Sequence, residues 1–340
     1  MGGIAIVSSA LFGYLVAHVS TEQTKFARTG ITLMALVVAM AVVGFVDDYL
    51  GVRRGRNLGL RKRGKTGGQL LVAVGFALLA LNYVNVSTHL SFTRVFDLDL
   101  TTGLWLVVAV FWIYGFSNAV NLTDGMDGLA AGFCAIAAMT FAILSASLGH
   151  ADTAAVAAVV AGAAIGLLRY NFHPATIIMG DSGSLMLGYL LATLAIEGVL
   201  KTAAAVSLIF PLVILALPIL DTSFVILKRL KYRQPIYQAD RWHFHHRFAN
   251  IGFSQRRTAL TLYAWCIVLS GFALAIRFVP PHRHGWTITS VTILGVLGLV
   301  AVLSSVYVIY TLEILKLRRL RALRGGRADP AHASADRPAA

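Results

Sequence analysis

The chain has 340 residues, 57% of them hydrophobic and 13% charged, with a mean hydropathy of +0.74. Soluble domains carry about 25% charged residues, so an ordinary soluble globular protein is excluded and a membrane, not length, sets the domain organisation. The net charge of +14 would suggest nucleic acid in a soluble protein, but here the basic residues gather in particular loops, where membrane orientation accounts for them.

A spanning helix needs about 20 mainly apolar residues, and ten segments qualify: about 2–19, 30–46, 68–84, 103–119, 129–149, 154–168, 183–199, 203–227, 258–279 and 287–312. The first lacks the basic leader and small-residue cleavage site of a secretory signal, so it reads as a retained helix. The second runs into Gly44–Lys65, GFVDDYLGVRRGRNLGLRKRGK, where Asp47 and Asp48 meet a loop carrying seven Lys/Arg. Between the third and fourth, residues 85–102 alternate apolar and polar side chains, the pattern of a short hairpin or surface segment. The fourth ends in NAVNLTDGMDG, with Asn118, Asn121, Asp124 and Asp127; the sixth leads to NFHPATIIMGDSGS, with Asn171 and Asp181. Pro211 and Pro218 should bend the eighth, because each removes a backbone donor. After it comes DRWHFHHR, with His243, His245, His246 and Arg247. Cys134 and Cys266 lie inside apolar runs and read as packing residues. The expected fold is an all-α polytopic integral membrane protein, with one membrane domain over 1–312 and a basic, then disordered, tail over 313–340.

Loop charge orients it. With residue 1 inside, the inside segments hold 23 of the 29 Lys/Arg, the positive-inside asymmetry of a cytoplasmic N-terminus and an even number of spans. Lys316–Arg327 reads as a polybasic anchor on anionic lipid. All four polar clusters then fall on the cytoplasmic side. Taken singly, each has a structural explanation: solvated helix ends for Asp47 and Asp48, a turn for 118–128, a helix cap for Asp181. Turns and caps have no reason to converge on one membrane face, and polar groups at the boundary are costly to desolvate. A cleft of carboxylates with few sulfur ligands suits a hard cation, Mg²⁺ or Mn²⁺, which takes one or two carboxylates plus substrate phosphates. The tight histidine spacing, without a nearby cysteine, does not suit zinc. Metal-assisted phosphoryl transfer from a soluble activated donor to a lipid acceptor is the expected chemistry. The rival from another class is a lipid-phosphate transporter, but it would place ionisable groups near the midplane of its helices, which are almost free of charge here. An inactive paralogue with a binding role is the other alternative.

At these motifs the sequence resembles the polyprenyl-phosphate N-acetylhexosamine-1-phosphate transferases of glycosyltransferase family 4, over about residues 1–265. The resemblance implies a UDP-N-acetylhexosamine donor, an undecaprenyl- or decaprenyl-phosphate acceptor, Mg²⁺, and release of UMP. It also implies a plasma-membrane location with both termini and the active site cytoplasmic, lipid as the surrounding partner, and a homodimer as an assembly left open. Asp47 and Asp48 match the family's aspartate pair, the first being the base toward the lipid phosphate. Asp181 matches the metal ligand and Lys65 a lysine near the diphosphate. Asn118, Asn121, Asp124, Asp127 and Asn171 match substrate-site positions, and His243, His245, His246 and Arg247 the histidine loop. MGGIAI, GFVDDYLGV and RNLGL resemble the phospho-N-acetylmuramoyl-pentapeptide branch; PILDTSFVILKRL, ADRWHFHHRF and the extra helix after the histidines resemble the GlcNAc-1-phosphate branch, which is the favoured donor class. Two departures stand out: the family's first helix falls ahead of Met1, and Ile178 replaces a phenylalanine that would stack on uracil.

Overall fold

The computed structural model describes residues 2–20, 27–55, 59–86, 88–93, 96–198, 209–235, 243–279 and 287–325, with the side chains of 89–99 and 312–325 excepted. The tail over 328–340, the side chains of the polybasic strip and the start of DRWHFHHR lie outside these residues.

The elements are α1 (Gly2–Ser20), α2 (Arg28–Arg53), α3 (Lys62–Leu79, continued by a π turn over Ala80–Val84), β1 (His89–Thr93), β2 (Phe96–Asp99), α4 (Thr102–Thr123), α5 (Leu129–Ser147), α6 (Ala151–Asn171), α7 (Gly180–Gly198), α8 (Ile209–Ile214), α9 (Ala216–Lys231), α10 (Phe244–Asn250), α11 (Gln255–Phe278) and α12 (Ile288–Gly325). The protein is an all-α polytopic membrane protein, its one described sheet being the antiparallel β1–β2 hairpin in the alternating stretch 85–102. Phe12, Phe111, Leu71 and much of α12 over 288–311 present apolar side chains outward, a surface far too extensive for water and suited to lipid.

Eight helices among the described residues are long and apolar enough to cross a membrane, against ten expected from hydropathy. The expected eighth is interrupted. Leu215 alone separates α8 from α9, and helical bonds still run across it, from Leu215 N to the Pro211 carbonyl at 2.9 Å and from Ile219 N to the Leu215 carbonyl at 3.3 Å, so Pro211 and Pro218 coincide with a local disturbance of the helix. The expected seventh, α7, is the hub of the bundle. From Leu185 to Ile196 its side chains are buried, against α1, α2, α4 and α5.

α2 and α7 approach tightly at Gly44. A Cβ there would lie 2.4 Å from the Asp181 carbonyl oxygen, so only glycine lets the two backbones meet. That contact delivers the end of α2, with Asp47 and Asp48, to the start of α7.

Candidate active site

Asp47 and Asp48 are neighbours on α2, and successive helical residues point about 100° apart. Their carboxylates accordingly do different things. Asp48 accepts from the backbone N–H of Asp181 and of Ser182, each at 3.0 Å. These are first-turn donors of α7, which no residue of that helix can satisfy, so α2 caps α7 and fixes where Asp181 sits. Asp47 turns toward the start of α3 and the Asp181 side chain. Its Oδ1 accepts from Leu60 N at 2.7 Å and its Oδ2 from Lys65 Nζ at 3.2 Å. Lys65, at the start of α3, also donates to Asp181. One ammonium therefore bridges two carboxylates from α2 and α7.

The loop 124–128 closes the site from the α4 side. Asp124 makes no side-chain hydrogen bond among the described residues. Its burial, and then the negative charges of Asp181, Asp48 and Asp127, push its carboxyl well above the usual range. Asn121 Oδ1 accepts from Ser184 Oγ of α7 at 2.7 Å. Asn118 donates to Gln69 Oε1 and to the Tyr114 carbonyl, both at 2.8 Å.

Two residues matched to the substrate site are committed to the loop itself. Asp127 pairs with His173 Nδ1 at 2.8 Å and accepts from Ala175 N at 3.1 Å. Asn171 accepts from Gly128 N at 3.1 Å and donates to the Ile177 carbonyl at 2.9 Å. Ile178, 73% exposed, presents an open aliphatic surface.

The histidine segment docks onto the same loop. Gly125 has His245 Nε2 2.3 Å from where a Cβ would stand, so the ring rests directly on the glycine backbone. His243 and His245 stack with centroids 5.8 Å apart, and His246 follows at 4.3 Å. Arg247 lies over the Phe224 ring at 4.3 Å. Sequence reasoning gave no role to the residue that organises this segment. Asp221 of α9, 1% exposed, accepts from His243 Nδ1 at 2.9 Å and from Phe244 N, the start of α10, at 2.7 Å. Its signal was present: a lone carboxylate in an apolar run needs a partner.

All four polar clusters thus meet at one end of the bundle, as their common side in the hydropathy pattern required. Three of the relevant carboxylates, Asp47, Asp124 and Asp181, offer oxygen ligands only. Among the described residues no three His/Cys/Asp/Glu side chains are assembled into a metal site. That donor set fits a hard cation that completes its shell with substrate oxygens and water, in a pocket where Asp124 already bears the repulsion of three carboxylates.

Comparison with known proteins bears on this geometry. The family model for glycosyl transferase family 4 matches residues 30–199, from α2 through α7, the helices that carry the carboxylates. A probable undecaprenyl-phosphate N-acetylglucosaminyl 1-phosphate transferase of Bacillus subtilis is 36% identical over 283 residues, covering 82% of this chain and 73% of that protein. A phospho-N-acetylmuramoyl-pentapeptide-transferase of Corynebacterium kroppenstedtii is 33% identical over 326 residues, 84% of this chain and 86% of its own. One of Shouchella clausii is 38% identical over 267 residues, 77% and 78%. With half of the chain matched by the family model, and most of it by such relatives, the protein belongs to glycosyl transferase family 4.

Proposed function

We propose that the protein transfers N-acetylhexosamine 1-phosphate from a UDP-sugar to polyprenyl phosphate at the cytoplasmic membrane surface, with UDP-GlcNAc as donor. The observation that carries the reading is the Asp47–Lys65–Asp181 bridge, a cation held between two carboxylates beside the uncommitted Asp124. Lys65 and Arg247 supply positive charge, and the histidines hydrogen-bond donors, for a diphosphate, and Asp47 is the carboxylate placed to take a proton from the acceptor phosphate. Asp181 and Asp124 are the residues that would hold Mg²⁺, which when bound supplies charge neutralisation on the transferring phosphoryl group. A groove of about 420 Å³ along α3 and α4, lined by Leu70, Val74, Leu106, Val110 and Tyr114, supports a long apolar acceptor. It runs up to Tyr114, whose hydroxyl meets Thr66, next to Lys65, at 3.4 Å.

The alternative donor is UDP-MurNAc-pentapeptide, favoured by the similarity to the phospho-N-acetylmuramoyl-pentapeptide-transferases of Corynebacterium and Shouchella. UMP release measured with each donor, polyprenyl phosphate and Mg²⁺ decides between them, and release from neither donor overturns the proposal. Asp181→Asn, which removes one negative charge from the bridge, should abolish turnover; near-normal release would remove Asp181 from the mechanism.

A further inference from the structure

A second groove, of about 660 Å³, lies between α11 and α12. One end is charged, with Ser254, Arg256 and Arg257 at the start of α11; the rest is mainly apolar, along Leu260, Ala264, Val268 and Val308, with the hydroxyls of Thr261, Ser304 and Tyr307 among them. Trp265 ties the two walls together, its indole nitrogen donating to Ser305 Oγ at 2.9 Å. Among the described residues no acidic side chain lines the groove.

Its dimensions select an occupant. Arg257 and Val268 are eleven residues apart on one helix, about 16 Å at 1.5 Å per residue. Half of a ~30 Å hydrocarbon core is one leaflet, so a groove charged at one end and apolar for a leaflet's depth has the shape of a phospholipid. A polyprenyl chain is much longer, and the groove along α3 and α4 opens nearer Lys65. The charged end suits a phosphodiester. Arg257 lies over the Phe253 ring at 4.1 Å, which orients its planar guanidinium without consuming N–H donors. Arg256 is anchored through Nε to the His173 carbonyl at 2.9 Å. The N-terminus of α11 adds its own partial positive charge.

We propose that this groove binds one anionic phospholipid of the surrounding bilayer, its phosphate on Arg256 and Arg257 and an acyl chain along α11. The site communicates with the catalytic cleft. Arg256 holds the His173 backbone, the His173 ring pairs with Asp127, and Asp127 belongs to the loop that presents Asp124. Anionic lipid therefore braces that loop. This consequence rests on the transferase reading, whereas the binding site does not.

The test is native mass spectrometry of the full chain released from phosphatidylcholine nanodiscs containing phosphatidylglycerol. The wild type should retain one phosphatidylglycerol. Arg257→Gln should lower that occupancy about five-fold, the effect of one arginine at an anionic lipid surface. Ala264→Phe fills the groove without changing charge and should lower it as well. Wild-type occupancy in both variants overturns the proposal, as does equal retention of phosphatidylcholine. Displacement of the lipid by inorganic phosphate at the lipid's own concentration also overturns it, since that marks a site for a free anion. Phosphatidylglycerol should raise UMP release in the wild type and not in Arg257→Gln, and equal stimulation of both removes the coupling. A chain that releases no UMP but still retains the lipid would refute the transferase reading and leave this site standing.

Discussion

At the residue scale the two adjacent aspartates divide their labour, and the division can be measured. Asp48 satisfies two donors at the start of α7, so Asp48→Ala should cost about 1–2 kcal/mol, the usual loss for a helix cap, read as a lower thermal midpoint. It should also slow turnover about 10²-fold, because displacing a positioned group by ~1 Å is enough for that. Asp48→Asn, which retains one acceptor oxygen, should fall between. Asp47→Asn keeps the acceptor for Leu60 N and should leave the midpoint nearly unchanged while turnover is lost. Equal midpoints for Asp48→Ala and Asp47→Asn would refute the capping role. The importance of the pair was legible in the sequence, since two carboxylates at an apolar helix end have few bland explanations. Its division was not. Which of two neighbours on a helix faces α7 depends on the azimuth of α2, which Gly44 sets through a contact with Asp181 more than a hundred residues away.

At the element scale a buried carboxylate on α9 anchors the start of the short helix α10. Asp221→Ala removes the acceptor of His243 Nδ1 and of the first N–H of α10, and should destabilise by about 2–3 kcal/mol. Asp221→Asn should retain the Phe244 bond and lose the one to His243, an intermediate cost in the same thermal melt. The element is also sensitive to pH. Burial, the nearby His246 and, more weakly, His243 hold His245 at about 4, against the opposing pull of Asp221. Above pH 6.5, the ordinary histidine value, neither folded nor unfolded chain carries the proton. Between 6.5 and 4 the unfolded chain takes it up and the folded one does not, so stability falls as pH falls through that window. The full depth is about 3 kcal/mol. His245→Gln should flatten the thermal midpoint over this range, and an unchanged slope would show that other groups set it. The three histidines stood out in the sequence through their spacing. Asp221 did not, because its partners lie 22 and 23 residues downstream, across an interval that hydropathy cannot bridge. The disturbance at Leu215 was legible in its two prolines, but its extent depends on what packs around it.

At the scale of the whole molecule, the spans were legible because hydropathy averages over some 20 residues and forgives local error. The hub position of α7 was not, since a helix enclosed by other helices and one facing lipid are equally apolar. Orientation rests on charge alone: 23 of 29 Lys/Arg assigned to one face. The structure supplies two positions at which that assignment can be tried. Arg63 lies exposed in the first turn of α3, and Asn82 lies exposed near the other end of the same continuous helix. Their separation of nineteen residues is ~29 Å along the helix axis, close to the thickness of the hydrocarbon core. The two native cysteines are buried and should stay silent toward a membrane-impermeant maleimide. In intact cells Asn82→Cys should label and Arg63→Cys should not; permeabilisation should make both reactive. The reverse pattern would put Lys65 and the carboxylates outside, away from a cytoplasmic nucleotide-sugar pool, and would overturn both the orientation and the proposed donor. Labelling of both positions in intact cells would mean that α3 does not cross the membrane at all.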